Sequence, residues 1–219
     1  MSAPGAHRIR VWDLPTRVFH WTLAIGMVAA FVTVKIGGNA MVWHQRIGVM
    51  LLALIAFRLI WGVVGGRYAR FSQFIRGPRA LMDSLRGRLP HAPGHNPMGA
   101  LSVIGLLSVV GFQAVSGLFA NDDIAFEGPL AAQVSASTSS LLTTLHRWNE
   151  KLILTLVGLH IAAIVFYRVR HRLDLIGPMI RGDAVFPQNH PQTRDDAGLR
   201  VLALAIAGLC LWGFWRLFA

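Results

Sequence analysis

Residues Leu145–Phe166 (LHRWNEKLILTLVGLHIAAIVF) form an apolar run long enough to cross a bilayer, and they carry two histidines fourteen positions apart. At 3.6 residues and 1.5 Å of rise per residue, that spacing is almost four turns and roughly 21 Å of helix axis. His146 and His160 therefore point to nearly the same side of one helix, one toward each face of a hydrocarbon core about 30 Å thick. Ionisable side chains inside a span are costly and usually face the interior of a bundle, where they have a task. Two on one stripe, at two depths, suit ligands for two stacked cofactors.

Composition narrows the class. Of 219 residues 54% are hydrophobic and 14% charged, with a mean hydropathy of +0.51, as in a polytopic membrane protein and unlike a soluble domain. The net charge of +11 is not a nucleic-acid signature here, because the basic residues lie between apolar spans, where they mark cytoplasmic loops. Cys210 is the single cysteine and sits in an apolar run. This excludes a disulfide, a CxxC metal site, covalent CxxCH haem and a cysteine-ligated iron–sulfur cluster.

Five spans are expected, at about 18–34, 41–64, 98–120, 141–167 and 199–219. The charged start with Arg8, Arg10 and Arg17 is read as leading into a retained first helix rather than a cleaved signal, with Pro15 close to the first turn. His20 lies near that helix's start. The short loop 35–40 (KIGGNA) joins antiparallel helices. The second span opens MVWHQRIG, with His44 near its start and Arg58 fourteen residues later, repeating the histidine spacing of the fourth. The stretch 65–97 is arginine-rich, and its segment 78–89 reads as a short amphipathic helix on the membrane surface. The third span is rich in small residues, including Gly111, Ser116 and Gly117, which let helices or a flat cofactor approach closely. The expected architecture is an all-α integral membrane protein. A four-helix bundle over residues 1–180 holds the cofactors, and 181–219 supply a polar linker and a fifth transmembrane helix.

Loop charge sets the expected orientation. The N-terminus, 65–97 and 168–200 hold most of the arginines, whereas loops 35–40 and 121–140 hold one lysine between them. The positive-inside rule puts the N-terminus in the cytoplasm and the C-terminus in the periplasm. Depth then pairs His20 with His160 near the inner face and His44 with His146 near the outer. A haem iron with two axial imidazoles takes one from each of two facing helices. Haem propionates need cations: Arg17 and Arg58 lie at the inner depth, Arg46 and Arg147 at the outer.

A single buried histidine is more often a structural one, but four at matched depths are not explained that way. A zinc site wants its ligands clustered, and these split into two distant pairs. His95 is read as helix entry or surface, with a quinone or propionate contact as the alternative. His7, His91, His171 and His190 are read as solvated. Arg46, Arg147 and Lys151 either ring the outer haem or snorkel to headgroups. Asp122, Asp123 and Glu127 form either an ordinary loop or a patch for a basic periplasmic protein.

VWDLPTRVFHW at the first span, WHQRIG with Arg58 at the second, GHNPMG before the third and H-x13-H in the fourth together resemble the prokaryotic cytochrome b561 family, over roughly residues 10–180. That family also includes the b-type cytochrome subunits of nickel–iron hydrogenases. The resemblance implies a four-helix bundle with two b haems, with quinone as diffusible co-substrate. Electrons would cross a bacterial inner membrane between the quinone pool and a periplasmic partner such as a c-type cytochrome. Two alternatives stay open: a superoxide:quinone oxidoreductase, an enzyme in its own right, and a membrane anchor and relay subunit of a hydrogenase or other dehydrogenase. The fifth span departs from the smallest members and reads as a candidate partner-docking helix.

Overall fold

The computed structural model describes residues 6–75, 77–86 and 92–218, apart from the side chains of Leu85 and Phe218. It is mostly helical. Among the described residues, five helices are long and apolar enough to cross a membrane: α1 (Leu14–Ile36), α2 (Ala40–Val64), α5 (Pro97–Leu118), α6 (Ala136–Arg170) and α8 (Ala197–Trp215). Between them lie the short helices α3 (Phe71–Phe74), α4 (Pro78–Leu85) and α7 (Ile176–Arg181), and a two-stranded sheet of β1 (His7–Arg10) and β2 (Asp183–Phe186). Many large apolar side chains on the long helices are exposed, among them Ile25, Val63, Leu159 and Leu204. In water that surface would be unfavourable, and against lipid it is what a span presents.

The chain divides into two compact units. The first comprises the residues up to Phe19, with Arg58–Ile104 and Gly158–Leu204. The second comprises His20–Phe57, Gly105–Val157 and the chain from Ala205 onward. Each long helix contributes one end to each unit, and the second unit gathers the end of α1, the start of α2, the end of α5, the start of α6 and the end of α8.

In the first unit the polar segments expected as loops are folded. β1 pairs antiparallel with β2, Ile9 opposite Ala184, across more than 170 residues of chain. Ile9, Val11, Trp12 and Phe186 form a buried cluster against Tyr68 and Met179. Asp183 takes Arg8 and Arg10, each at 2.7 Å. Asp195 takes the Leu14 backbone N–H at 3.0 Å, Arg200 at 3.1 Å and Arg10 at 3.2 Å. The side chain of Asp195 is 7% exposed. Burial pushes its carboxyl up, but the Arg200 and Leu14 hydrogen bonds and the charges of Arg200 and Arg10 outweigh this and hold it below the usual range. Arg10 and Arg200, expected only to mark the cytoplasmic side, thus also fasten β1 and α8 to the segment before α8.

Asp13 decides where α1 begins. Its Oδ1 accepts the Thr16 N–H at 2.8 Å, as an N-cap does, and the Trp61 indole N–H at 3.3 Å. Its Oδ2 accepts the Gly66 N–H at 3.1 Å. A Cβ on Gly66 would collide with Asp13 Oδ2 and Thr193 Oγ1, so only glycine lets the chain pass there. Pro15 occupies the first turn, as expected. Asn96 caps α5, accepting the Gly99 N–H at 2.7 Å.

In the second unit Val49, Leu52 and Leu118 form a buried cluster, with Phe119, Leu130, Phe214 and Leu217 packed against it. The last turn of the fifth span is therefore engaged within the chain itself. The amphipathic helix expected over 78–89 is present as α4 (Pro78–Leu85), where Leu81 faces Leu101 and Ile104 of α5 across an apolar cleft. Residues 87–91, including His91 and the end of that expected helix, lie outside the described residues.

Candidate functional site

His44 enters α2 just after the tight turn at Gly37 and Gly38, which both have positive φ. His146 lies in the third turn of α6, and both residues belong to the second unit. Their imidazole centroids are 6.3 Å apart with the planes at 86°. His44 Nδ1 is 2.8 Å from the Ala30 carbonyl oxygen, and His146 Nδ1 is 2.9 Å from that of Gln113. A carbonyl oxygen only accepts, so both rings carry their proton on Nδ1 and keep a lone pair on Nε2. Each histidine is half-buried.

A metal ion held about 2 Å from two imidazole nitrogens separates the ring centres by roughly 6 Å. The His44–His146 spacing fits an iron taken between them, and the anchored Nδ1 positions are the outer support such ligands require. Gly117 of α5 makes room: a Cβ there would stand 3.0 Å from His146 Cε1.

Of the inner residues, His160 and Arg58 lie in the first unit with Arg17, and His20 is the first residue of α1 that belongs to the second. His160 Nδ1 is 3.4 Å from Ser102 Oγ on α5. His20 sets its ring edge-on to Trp21, with centroids 5.0 Å apart. Arg58, 3% exposed, donates through Nη2 to the Ala69 carbonyl at 3.0 Å and stacks over Phe71 at 4.9 Å. Its Nη1 is buried with no hydrogen-bond partner among the described residues. A buried guanidinium donor left over in this way suits a carboxylate such as a haem propionate. Arg17 donates to the Ile180 carbonyl at 2.7 Å and lies 3.8 Å from Asp195, so two of its nitrogens are already committed.

At the other ends of the helices the cations meet aromatic rings. Arg46 lies over Trp43 at 5.2 Å and Lys151 over Trp148 at 3.9 Å. Both tryptophans are largely exposed, the pattern of an interfacial belt. Arg147 is exposed. The acidic loop is mostly occupied with itself. Asp122 accepts the backbone N–H groups of Phe126, Ala125 and Ile124, which hold its carboxyl below the usual range, and Glu127 accepts from Asn121. His95 packs against Trp12 and Phe74, with ring centroids 4.7 Å from each and the planes tilted by 55°.

The sequence of the chain from residue 11 to 182 matches the family model described as prokaryotic cytochrome b561. The chain belongs to the prokaryotic cytochrome b561 family. No curated protein and no solved structure matches it. As a prokaryotic cytochrome b561 it is a multi-pass membrane protein of a family that binds haem b and transfers electrons within the membrane. Three polar residues beside His146 escaped the sequence reading as a group: Gln113, Ser116 and Asn149. The available signal was Asn149, three residues beyond His146 and so on the same helix face.

Proposed function

We propose that this cytochrome b561 is a di-haem electron carrier of a bacterial inner membrane, N-terminus cytoplasmic and C-terminus periplasmic. It passes electrons between the quinone pool and a periplasmic partner such as a c-type cytochrome. The observation that carries the reading is the facing pair His44 and His146, 6.3 Å apart with both Nδ1 atoms tied to backbone carbonyls.

When bound, a b haem supplies a one-electron iron couple. The chain's residues do the rest. His44 and His146 hold the outer haem through Nε2, and the Ala30 and Gln113 carbonyls keep those rings in one tautomer and one orientation. His20 and His160 hold the inner haem. Held by two histidines each, the haems would supply outer-sphere electron transfer. Arg58 offers its unused Nη1 to a propionate at the inner depth, with Arg17 beside the same end of the bundle. Arg46 and Arg147 serve the outer depth, and the exposed apolar helix faces keep the assembly in lipid.

The test is the pyridine haemochrome spectrum of the purified chain, with haem counted per chain. Two b haems support the reading. One means that a histidine pair is structural, and none overturns it. Electron transfer through the haems between quinol and a c-type cytochrome, in either direction, supports the stated partners. Fast haem reduction by superoxide with no partner protein would replace it with a superoxide:quinone oxidoreductase. Co-purification of a large dehydrogenase subunit would replace it with a relay subunit.

A further inference from the structure

Asn149, Gln113 and His146 form a directional hydrogen-bond chain in the second unit. Asn149, buried on α6, uses Nδ2 to donate to the Val109 carbonyl oxygen at 2.8 Å and to Gln113 Oε1 at 2.8 Å. A carbonyl only accepts, so the nitrogen end of Asn149 must face Val109. The same nitrogen meets Gln113 Oε1, which turns the Gln113 Nε2–H toward His146 Nε2, 3.0 Å away. An N–H there demands a lone pair, so the ring proton belongs on Nδ1. It finds the Gln113 carbonyl at 2.9 Å, with Ser116 Oγ at 3.2 Å. Ser116 in turn donates to that same carbonyl at 3.1 Å. Asn149 is 8% exposed, so little water is at hand to relieve a misdirected donor, and each orientation dictates the next.

We infer that Asn149, acting through Gln113, fixes the His146 tautomer that ligates through Nε2, and that the Gln113 amide is an exchangeable placeholder on that lone pair. The inference rests on the reading of His146 as an axial haem ligand. Exchange breaks one N–H···N hydrogen bond and forms one iron–nitrogen bond from the same lone pair, with no proton or electron transferred. Asn149 touches neither iron nor substrate and is a positioning residue.

The experiment follows haem release from the full-length haem-loaded protein to excess apomyoglobin, the outer haem being the one that His146→Ala lacks. Gln113→Leu leaves no amide to recapture Nε2 once the bond to iron opens, and release slows by up to about tenfold, the worth of one hydrogen bond. Asn149→Leu frees the amide to turn its oxygen toward His146 and favour a proton on Nε2. Release then quickens by about tenfold, and the low-spin electron paramagnetic resonance signal of that haem broadens. Full retention of the inner haem reports that each variant is folded. A role in packing alone would quicken release in both variants. That result, or no change in either, overturns the inference. Should His146→Ala keep every haem of the wild type, the haem reading itself falls and takes the inference with it.

Discussion

Gly117 on α5 faces the His146 imidazole so closely that a Cβ at position 117 would stand 3.0 Å from Cε1 and 3.3 Å from Nδ1. That is tighter than ordinary van der Waals contact. The ring cannot yield freely, because Nδ1 is held 2.9 Å from the Gln113 carbonyl. Gly117→Ala is expected to shift the ring by a few tenths of an ångström and weaken the outer haem. Gly117→Val is expected to abolish it. Haem per chain, read from the pyridine haemochrome, distinguishes the two, and full occupancy in the valine variant would contradict the packing.

The pairing by depth is tested by single substitutions. His44→Ala and His146→Ala are each expected to remove the same haem, and His20→Ala and His160→Ala the other. Redox titration of the remaining haem identifies which one survives. A crossed pattern, in which His44→Ala and His160→Ala behave alike, would refute the pairing.

Asp13 is 1% exposed and accepts three N–H groups from α1, α2 and the following turn. Asp13→Ala strands those buried donors and leaves Arg58 without a nearby counter-charge. A loss of roughly 3 kcal/mol is expected. Thermal unfolding in detergent measures it, and an unchanged midpoint would show that the donors find other partners.

Asp195 gives a pH dependence. Its carboxyl is held below the ordinary value near 3.9, so the folded protein binds that proton less readily than the unfolded chain. The stabilisation is complete above about pH 4 and is lost as pH falls further through the folded value. The midpoint difference between wild type and Asp195→Asn is therefore expected to be constant from neutral pH down to about pH 5 and to shrink below pH 4. A difference that grew on acidification would reverse the sign and refute the assignment.

The five spans were legible because hydropathy over some twenty residues measures what a bilayer demands, and their helices match the expected stretches to within a few residues. The ends moved for local reasons. α1 starts at Leu14, earlier than expected, because Asp13 caps it. α6 starts at Ala136, where Ser135 Oγ accepts the Thr138 N–H, so a polar turn precedes the apolar run. His20, His44, His146, His160 and Arg58 stand out in the sequence because charged and polar groups contrast with lipid-compatible neighbours.

What the sequence by itself determined is the class of protein, the number of spans and the residues that repeat at fourteen-position intervals, since periodicity and transfer energy act locally along the chain. What only the tertiary structure decided is which groups meet. The pairing of His7–Arg10 with Asp183–Phe186, the fastening of Arg10 to Asp195, and the chain from Asn149 through Gln113 to His146 all join residues far apart in sequence or on different helices. Hydrogen bonds depend on ångström-scale position and on the direction of each donor, and neither exists until the helices pack.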